Sequence, residues 1–157
     1  MPTSLSAALE QVRRHRAELR DSASALESAL AAPAPGRGSL WLVRVRAALM
    51  ELLADFRVHI ELTEGVGQTP GLYADVQRAA PRLAGAVGRL ACQHAELVDG
   101  VVTLLEDVEQ QDGRTGAAEV ARVRDEGTRL LGRVVRHRQG ESDVVYEAYQ
   151  VDIGGEN

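Results

Sequence analysis

An all-α fold, specifically an antiparallel up-down-up-down four-helix bundle, is predicted by three observations. Aromatic residues are only 3% of the 157, whereas strands usually recruit aromatic and β-branched side chains. Four long stretches carry apolar residues at alternating spacings of three and four, the period of a helix with one buried face. Clusters of proline and glycine separate these stretches, and long amphipathic helices joined by such connections pack antiparallel. A chain of this length buries a core without staples. The expected organisation is one domain over residues 1–150, with a polar C-terminal tail at 151–157.

The first helix runs from about Ser4 to Ala31 and stops at "APAPGRG", where two prolines and two glycines leave no helical option. Its stripe includes Val12, His15, Leu19, Ser22 and Leu26. Ser39 can cap the second helix, which reaches about Glu64 before Gly65 ends it. Leu49, Leu52, Phe56, His59 and Thr63 mark its inner face. The segment "GVGQTPGLYADVQRAA" reads as a loop with about two turns of helix after Gly71, a short extra helix in the second connection. Pro81 suits the first turn of the third helix, which continues to about Gln111 with Leu90, His94, Leu97 and Val101 inward. After "DGRTG" a fourth helix starts near Gly116, carries Val134, His137 and Glu141 on its stripe, and passes through Gly140 as a C-terminal extension.

Charge and composition exclude several function classes. The net charge is −5, and all eighteen basic residues are arginine; nucleic-acid binding needs a basic face, so the arginine clusters read as solvated helix flanks. No apolar run approaches the roughly 20 residues of a membrane helix, and the start "MPTSLSAALEQVRR" lacks a signal-peptide pattern. A cytoplasmic protein, monomeric or homodimeric, is expected. Cys92 is the sole cysteine, which removes an intramolecular disulfide; it reads as a small buried hydrophobe. "GVGQTPG" lacks the lysine and preceding strand of a phosphate loop. No serine or cysteine stands beside a histidine and an acid in a nucleophile motif.

The histidines carry the chemistry. There are four, each on the inner stripe of a different helix. Counted from the end that holds the first and third turns, His15 and His94 lie 16 and 17 residues before their helix ends, and His59 and His137 lie 19 and 21 after their starts. At about 1.5 Å per residue all four stand roughly 24 to 31 Å above that end, in one layer. A lone histidine on an apolar face is ordinarily a core residue bonded to a carbonyl or water. Four converging rings would repel one another if charged and would each need two partners if neutral. A bound cation supplies one partner to each ring. Glu141, one turn after His137, offers an oxygen to the same ion. Glu64 is a second candidate, five residues after His59. Glu18, Glu61 and Glu96 are placed to orient rings from outside. Tyr146 and Tyr149 are within reach of the layer if the last helix continues, though packing suits them better.

The segments "RRHRAELR", "FRVHIELTEG", "CQHAEL" and "VVRHRQGE" together resemble the hemerythrin-like, or HHE cation-binding, family, over roughly residues 10 to 145. The resemblance implies a non-haem iron centre, mono- or dinuclear, that handles or senses dioxygen, peroxide or nitric oxide. It also implies ligands one at a time. His15 matches the first-helix histidine. His59 matches the second, with Thr63 where a bridging carboxylate is expected, so that Glu64 would substitute. His94 matches the later of two third-helix histidines, the earlier being replaced by Leu90. His137 matches the fourth, with Glu141 near its carboxylate partner. The set is therefore leaner than a full di-iron site, and ligand type alone does not choose among iron, zinc, manganese and cobalt. The competing reading is a metal-free helical interaction module whose histidines are hydrogen-bonded remnants of a degenerate site or a pH switch.

Overall fold

The fold is all-α. The computed structural model describes residues 4–34, 36, 38–111 and 115–153, with side chains over 7–150 of that range. Helix α1 spans Ser4–Ala31, α2 Gly38–Glu64, α3 Leu72–Ala79, α4 Ala84–Glu109 and α5 Ala117–Ile153. A 3-10 turn at Pro81–Leu83 leads into α4, with Pro81 at its first position. The third long helix therefore begins as 3-10 and turns α-helical at Ala84. Helix α5 runs straight through Gly140 and includes Val151, Asp152 and Ile153, so part of the expected tail is helical. Residues 154–157 lie outside the described residues, as do the centres of the two turns at "APAPGRG" and "DGRTG".

The buried faces follow the predicted stripes closely. Every stripe position from Leu42 to Thr63 on α2, from Leu83 to Val108 on α4 and from Val120 to Glu141 on α5 is buried. On α1, Val12, His15, Leu19, Ser22 and Leu26 are buried, and Leu30 joins them. The four long helices pack in a closed circuit, α1 on α2, α2 on α4, α4 on α5 and α5 on α1. Arg124 of α5 donates hydrogen bonds to the Leu30 and Ala32 carbonyls at 2.8 and 2.6 Å, covering acceptors that the end of α1 leaves unpaired. Its guanidinium also lies 5.3 Å over the Trp41 ring.

Two apolar clusters make up the core. The larger contains Leu19, Leu49, Leu52, Phe56, Leu97 and Val134. The smaller contains Val12, Leu72, Tyr73, Val76, Val87 and Leu90. Between Leu19 and Val12 on α1 lies His15; between Phe56 and the end of α2 lies His59; between Leu90 and Leu97 on α4 lies His94. The polar layer is thus enclosed by hydrocarbon on both sides.

The connection from α2 to α4 places α3 over this layer. Gly65–Val66 pairs antiparallel with Thr69–Pro70, a two-residue ladder where the sequence suggested only loop. Gly65 has φ +96, a left-handed conformation open to glycine at little cost. A Cβ at Gly71 would come within 2.4 Å of the Thr63 carbonyl oxygen, so only glycine lets the chain double back this tightly. That approach sets Leu72 and Tyr73, at the first turn of α3, against the ends of the other helices.

Candidate metal centre

Three histidines and one glutamate converge: His59 from α2, His94 from α4, and His137 and Glu141 from α5. Each offers a donor atom, all four atoms lie within 4.8 Å of one another, and all four residues are buried. Glu141 follows His137 by one turn and is 1% exposed. Its Oε2 lies 2.9 Å from His59 Nε2 and 3.6 Å from His137 Nε2. The rings crowd about a centre, with His94 and His137 centroids 4.6 Å apart and His59 and His94 5.3 Å apart. Phe56 forms the floor, stacked on His59 at 5.7 Å and meeting His94 and His137 edge-on.

The outer nitrogens decide where the inner lone pairs point. His94 Nδ1 lies 2.6 Å from Glu64 Oε1, a carboxylate that can only accept, so Nδ1 carries the proton and Nε2 of the neutral ring is a bare lone pair. His137 Nδ1 lies 2.9 Å from Gln93 Oε1, which fixes the same tautomer. His137 Nε2 is buried without a hydrogen-bond partner. Two imidazole lone pairs therefore face the interior beside a carboxylate oxygen, an arrangement that a cation completes. The donor atoms also suit one: metal–nitrogen bonds of about 2.1 Å allow ligand atoms up to about 4.2 Å apart, and Glu141 Oε2 stands within that limit of both His59 Nε2 and His137 Nε2.

Burial lowers the His94 pKa to about 4, with His137 and His59 adding to the effect and Glu64 opposing it. Burial pushes the Glu141 carboxyl up, but the facing His137 and His59 imidazoles and the Tyr73 hydroxyl outweigh it and hold the group well below the usual carboxylate range. At neutral pH the layer therefore contains a neutral His94 and an ionised Glu141, the forms that ligate. The Tyr73 phenol is pushed well above its ordinary value by burial and by the neighbouring Glu141 charge.

These shifts predict an acid limb. Between pH 6.5 and 4 the unfolded chain protonates His94 while the folded, metal-free protein does not, so stability is full above that window and falls as pH drops through it. At 1.36 kcal/mol per pKa unit the loss by pH 5 is about 2 kcal/mol, and protonation of Glu141 deepens it further down. Urea unfolding at pH 7.5 and pH 5 measures it; an unchanged midpoint would contradict the burial of a neutral His94.

Two of the expected ligands stand elsewhere. His15, expected in the same layer, is buried but apart: Nδ1 pairs with Glu18 at 2.8 Å and Nε2 with the Asp55 carbonyl at 2.8 Å. Asp55 precedes His59 by one turn of α2, and both ring nitrogens of His15 are taken up there, outside the four-residue group. With Glu18 and Asp55 it forms a separate group, in which Ser22 donates to the Asp55 carboxylate. Glu64, expected as a ligand, instead accepts from the outer nitrogen of His94, because five residues from His59 turn it away from the interior. Thr63, in the inward position, hydrogen-bonds the His59 carbonyl at 2.8 Å.

Among the flanking carboxylates, Glu18 does meet a ring, Glu61 is exposed and Glu96 approaches Arg133 at 3.9 Å. Cys92 is exposed rather than buried: two residues before His94 it faces the opposite side of α4. Tyr146 is 64% exposed and does not cover the layer. The tyrosine that reaches the centre is Tyr73, whose hydroxyl donates to Glu141 Oε2 at 2.9 Å and lies 3.3 Å from His94 Nε2. Neither Tyr73 nor Gln93 was singled out by the sequence. The signal for Tyr73 was the apolar spacing Leu72, Tyr73 and Val76 in the short helix; Gln93 carried none.

No family model, curated protein or solved structure matches the chain. The functional reading therefore rests on the donor geometry.

Proposed function

We propose that the chain is a metal-binding protein whose centre is a single non-haem iron held by His59, His94, His137 and Glu141, and that it handles or senses dioxygen, peroxide or nitric oxide. The observation that carries the metal reading is the pair of inward lone pairs on His94 and His137, each enforced by an outer acceptor. Such outer partners fix ring tautomer and orientation in metal sites. One carboxylate inside the group, with Glu64 turned outward and His15 a turn away, favours one ion over a bridged pair. The closed circuit of four long helices is likewise read as the antiparallel bundle in which sites of this kind are built from facing helices.

Bound iron would supply a redox-active Lewis acid with room for a small ligand. The chain's own residues do the rest. Glu64 and Gln93 hold the tautomers, Glu141 brings the negative charge, and the apolar clusters on either side exclude water and raise the strength of every interaction in the layer. The resemblance to hemerythrin-like proteins supports the choice of iron and of small oxidising ligands. The His59–Glu141 and Tyr73–Glu141 hydrogen bonds support the alternative, a metal-free helical interaction module, because they give the buried carboxylate two donors without an ion.

Protein purified without a histidine tag, after growth with added iron, separates the two readings. About one equivalent of metal per chain is expected. Loading at a thousandfold excess over Kd should add about 4 kcal/mol, and with 2–4 °C per kcal/mol for a chain of this size the melting temperature should rise by about 8–16 °C. A metal content far below stoichiometric, with no thermal shift from any added divalent ion, would favour the interaction module.

A further inference from the structure

We propose that the phenolic oxygen of Tyr73 is the fifth donor of this centre and that it tunes the site to ferric iron. The inference rests on the metal reading above and goes beyond it by adding a ligand and an oxidation state.

Three observations carry it. First, the Tyr73 oxygen lies 2.9 Å from Glu141 Oε2 and 3.3 Å from His94 Nε2, closer to two members of the group than some members are to each other. Both distances are shorter than the roughly 4.2 Å that two atoms on one ion can span, so a single ion can bind all three. Second, the hydrogen-bond inventory does not close without a cation. The phenol has one proton, given to Glu141; His94 Nε2 has none, because Glu64 holds the ring's proton on Nδ1. At 3.3 Å the phenolic oxygen and His94 Nε2 therefore face each other as two acceptors, a mismatch that an ion between them converts into two bonds.

Third, Tyr73 has nowhere else to go. It is 5% exposed, its ring stacks on His94 with planes 10° apart, and the close approach at Gly71 fixes the backbone two residues earlier. An entering ion meets the phenol as a neighbour it must bind.

Coordination replaces the O–H bond with an oxygen–metal bond, and the proton leaves to solvent. Glu141 and the phenolate together then place two negative charges on the ion, beside three neutral imidazoles. That donor set suits a hard trivalent cation better than zinc, and tyrosine ligates iron in known protein sites.

The test loads the full chain with ferrous iron, oxidises it with ferricyanide, removes the excess and records the visible spectrum. Wild-type protein should be coloured by a phenolate-to-iron charge-transfer band, with phenolate ring modes enhanced in resonance Raman excited within it. Tyr73→Phe should retain near-stoichiometric iron at saturating concentration, lose the band and the ring modes, and bind ferric iron at least about tenfold more weakly, while zinc affinity changes less. Tyr149→Phe should keep the band. Wild-type protein that holds one iron without a phenolate band, or a band that survives in Tyr73→Phe, overturns the proposal and leaves the metal reading standing. Failure of the wild-type chain to bind iron overturns both.

Discussion

His137→Ala is expected to abolish stoichiometric metal binding while leaving the helices intact. The variant removes one of three converging nitrogens, and the one whose lone pair has no partner in the protein. Nothing nearby can replace it: Gln93 sits on the far side of the ring, and His15 is tied to Glu18 and Asp55. Loss of an outer partner typically costs 10–100-fold in affinity, so Glu64→Gln should weaken binding by about that factor and His137→Ala by more. Isothermal titration on both variants, with circular dichroism to verify helicity, gives the comparison. Full occupancy in His137→Ala would remove that residue from the ligand set, and equal effects of the two variants would mean that Glu64 is itself a ligand.

Phe56→Ala is the substitution expected to cost most stability. Phe56 is 1% exposed and joins the larger apolar cluster to the underside of three imidazoles. Truncating a buried phenylalanine costs about 3–5 kcal/mol through lost transfer energy and the cavity left behind, which for a domain of this size lowers the melting temperature by about 6–20 °C. The cavity would open against polar rings, where water can enter and find partners. His94 would then regain solvent and its pKa should move back toward 6.5, observable as a shift of its imidazole proton resonances with pH. A loss below about 1 kcal/mol would mean that the layer tolerates water.

The fold was largely legible because each helix signals its buried face many times over. On α2, α4 and α5 the three-and-four spacing identified every buried stripe position named above, since burial of a helix face imposes that period on the chain. The site was legible only in part. His59, His94, His137 and Glu141 announced themselves as polar residues on apolar stripes. His15 did the same and is buried too, yet heights estimated to within about 7 Å place a ring in a layer without placing its nitrogen on an ion, which demands agreement to a fraction of a helical turn. Glu64 meets the outer nitrogen of His94 for a rotational reason, because five residues from His59 carry it round the helix. Tyr73 depends on a backbone fold-back at Gly65 and Gly71 that no periodicity encodes. Gln93 acts through a side chain reaching from a solvent-facing position, where the pattern carries no information.

The hydrocarbon seal on both sides of the polar layer bears on how fast an ion comes and goes. All four donors are buried, and the cavity that opens beside them is lined by His137 and its partner Gln93, so an ion would leave past that ring and exchange would be gated by its opening and not by bond strength alone. A chelator would then strip the ion at a rate set by that opening, independent of chelator concentration once it is in excess and quickened by mild denaturant. Such a centre would hold its cargo far longer than its equilibrium affinity alone implies.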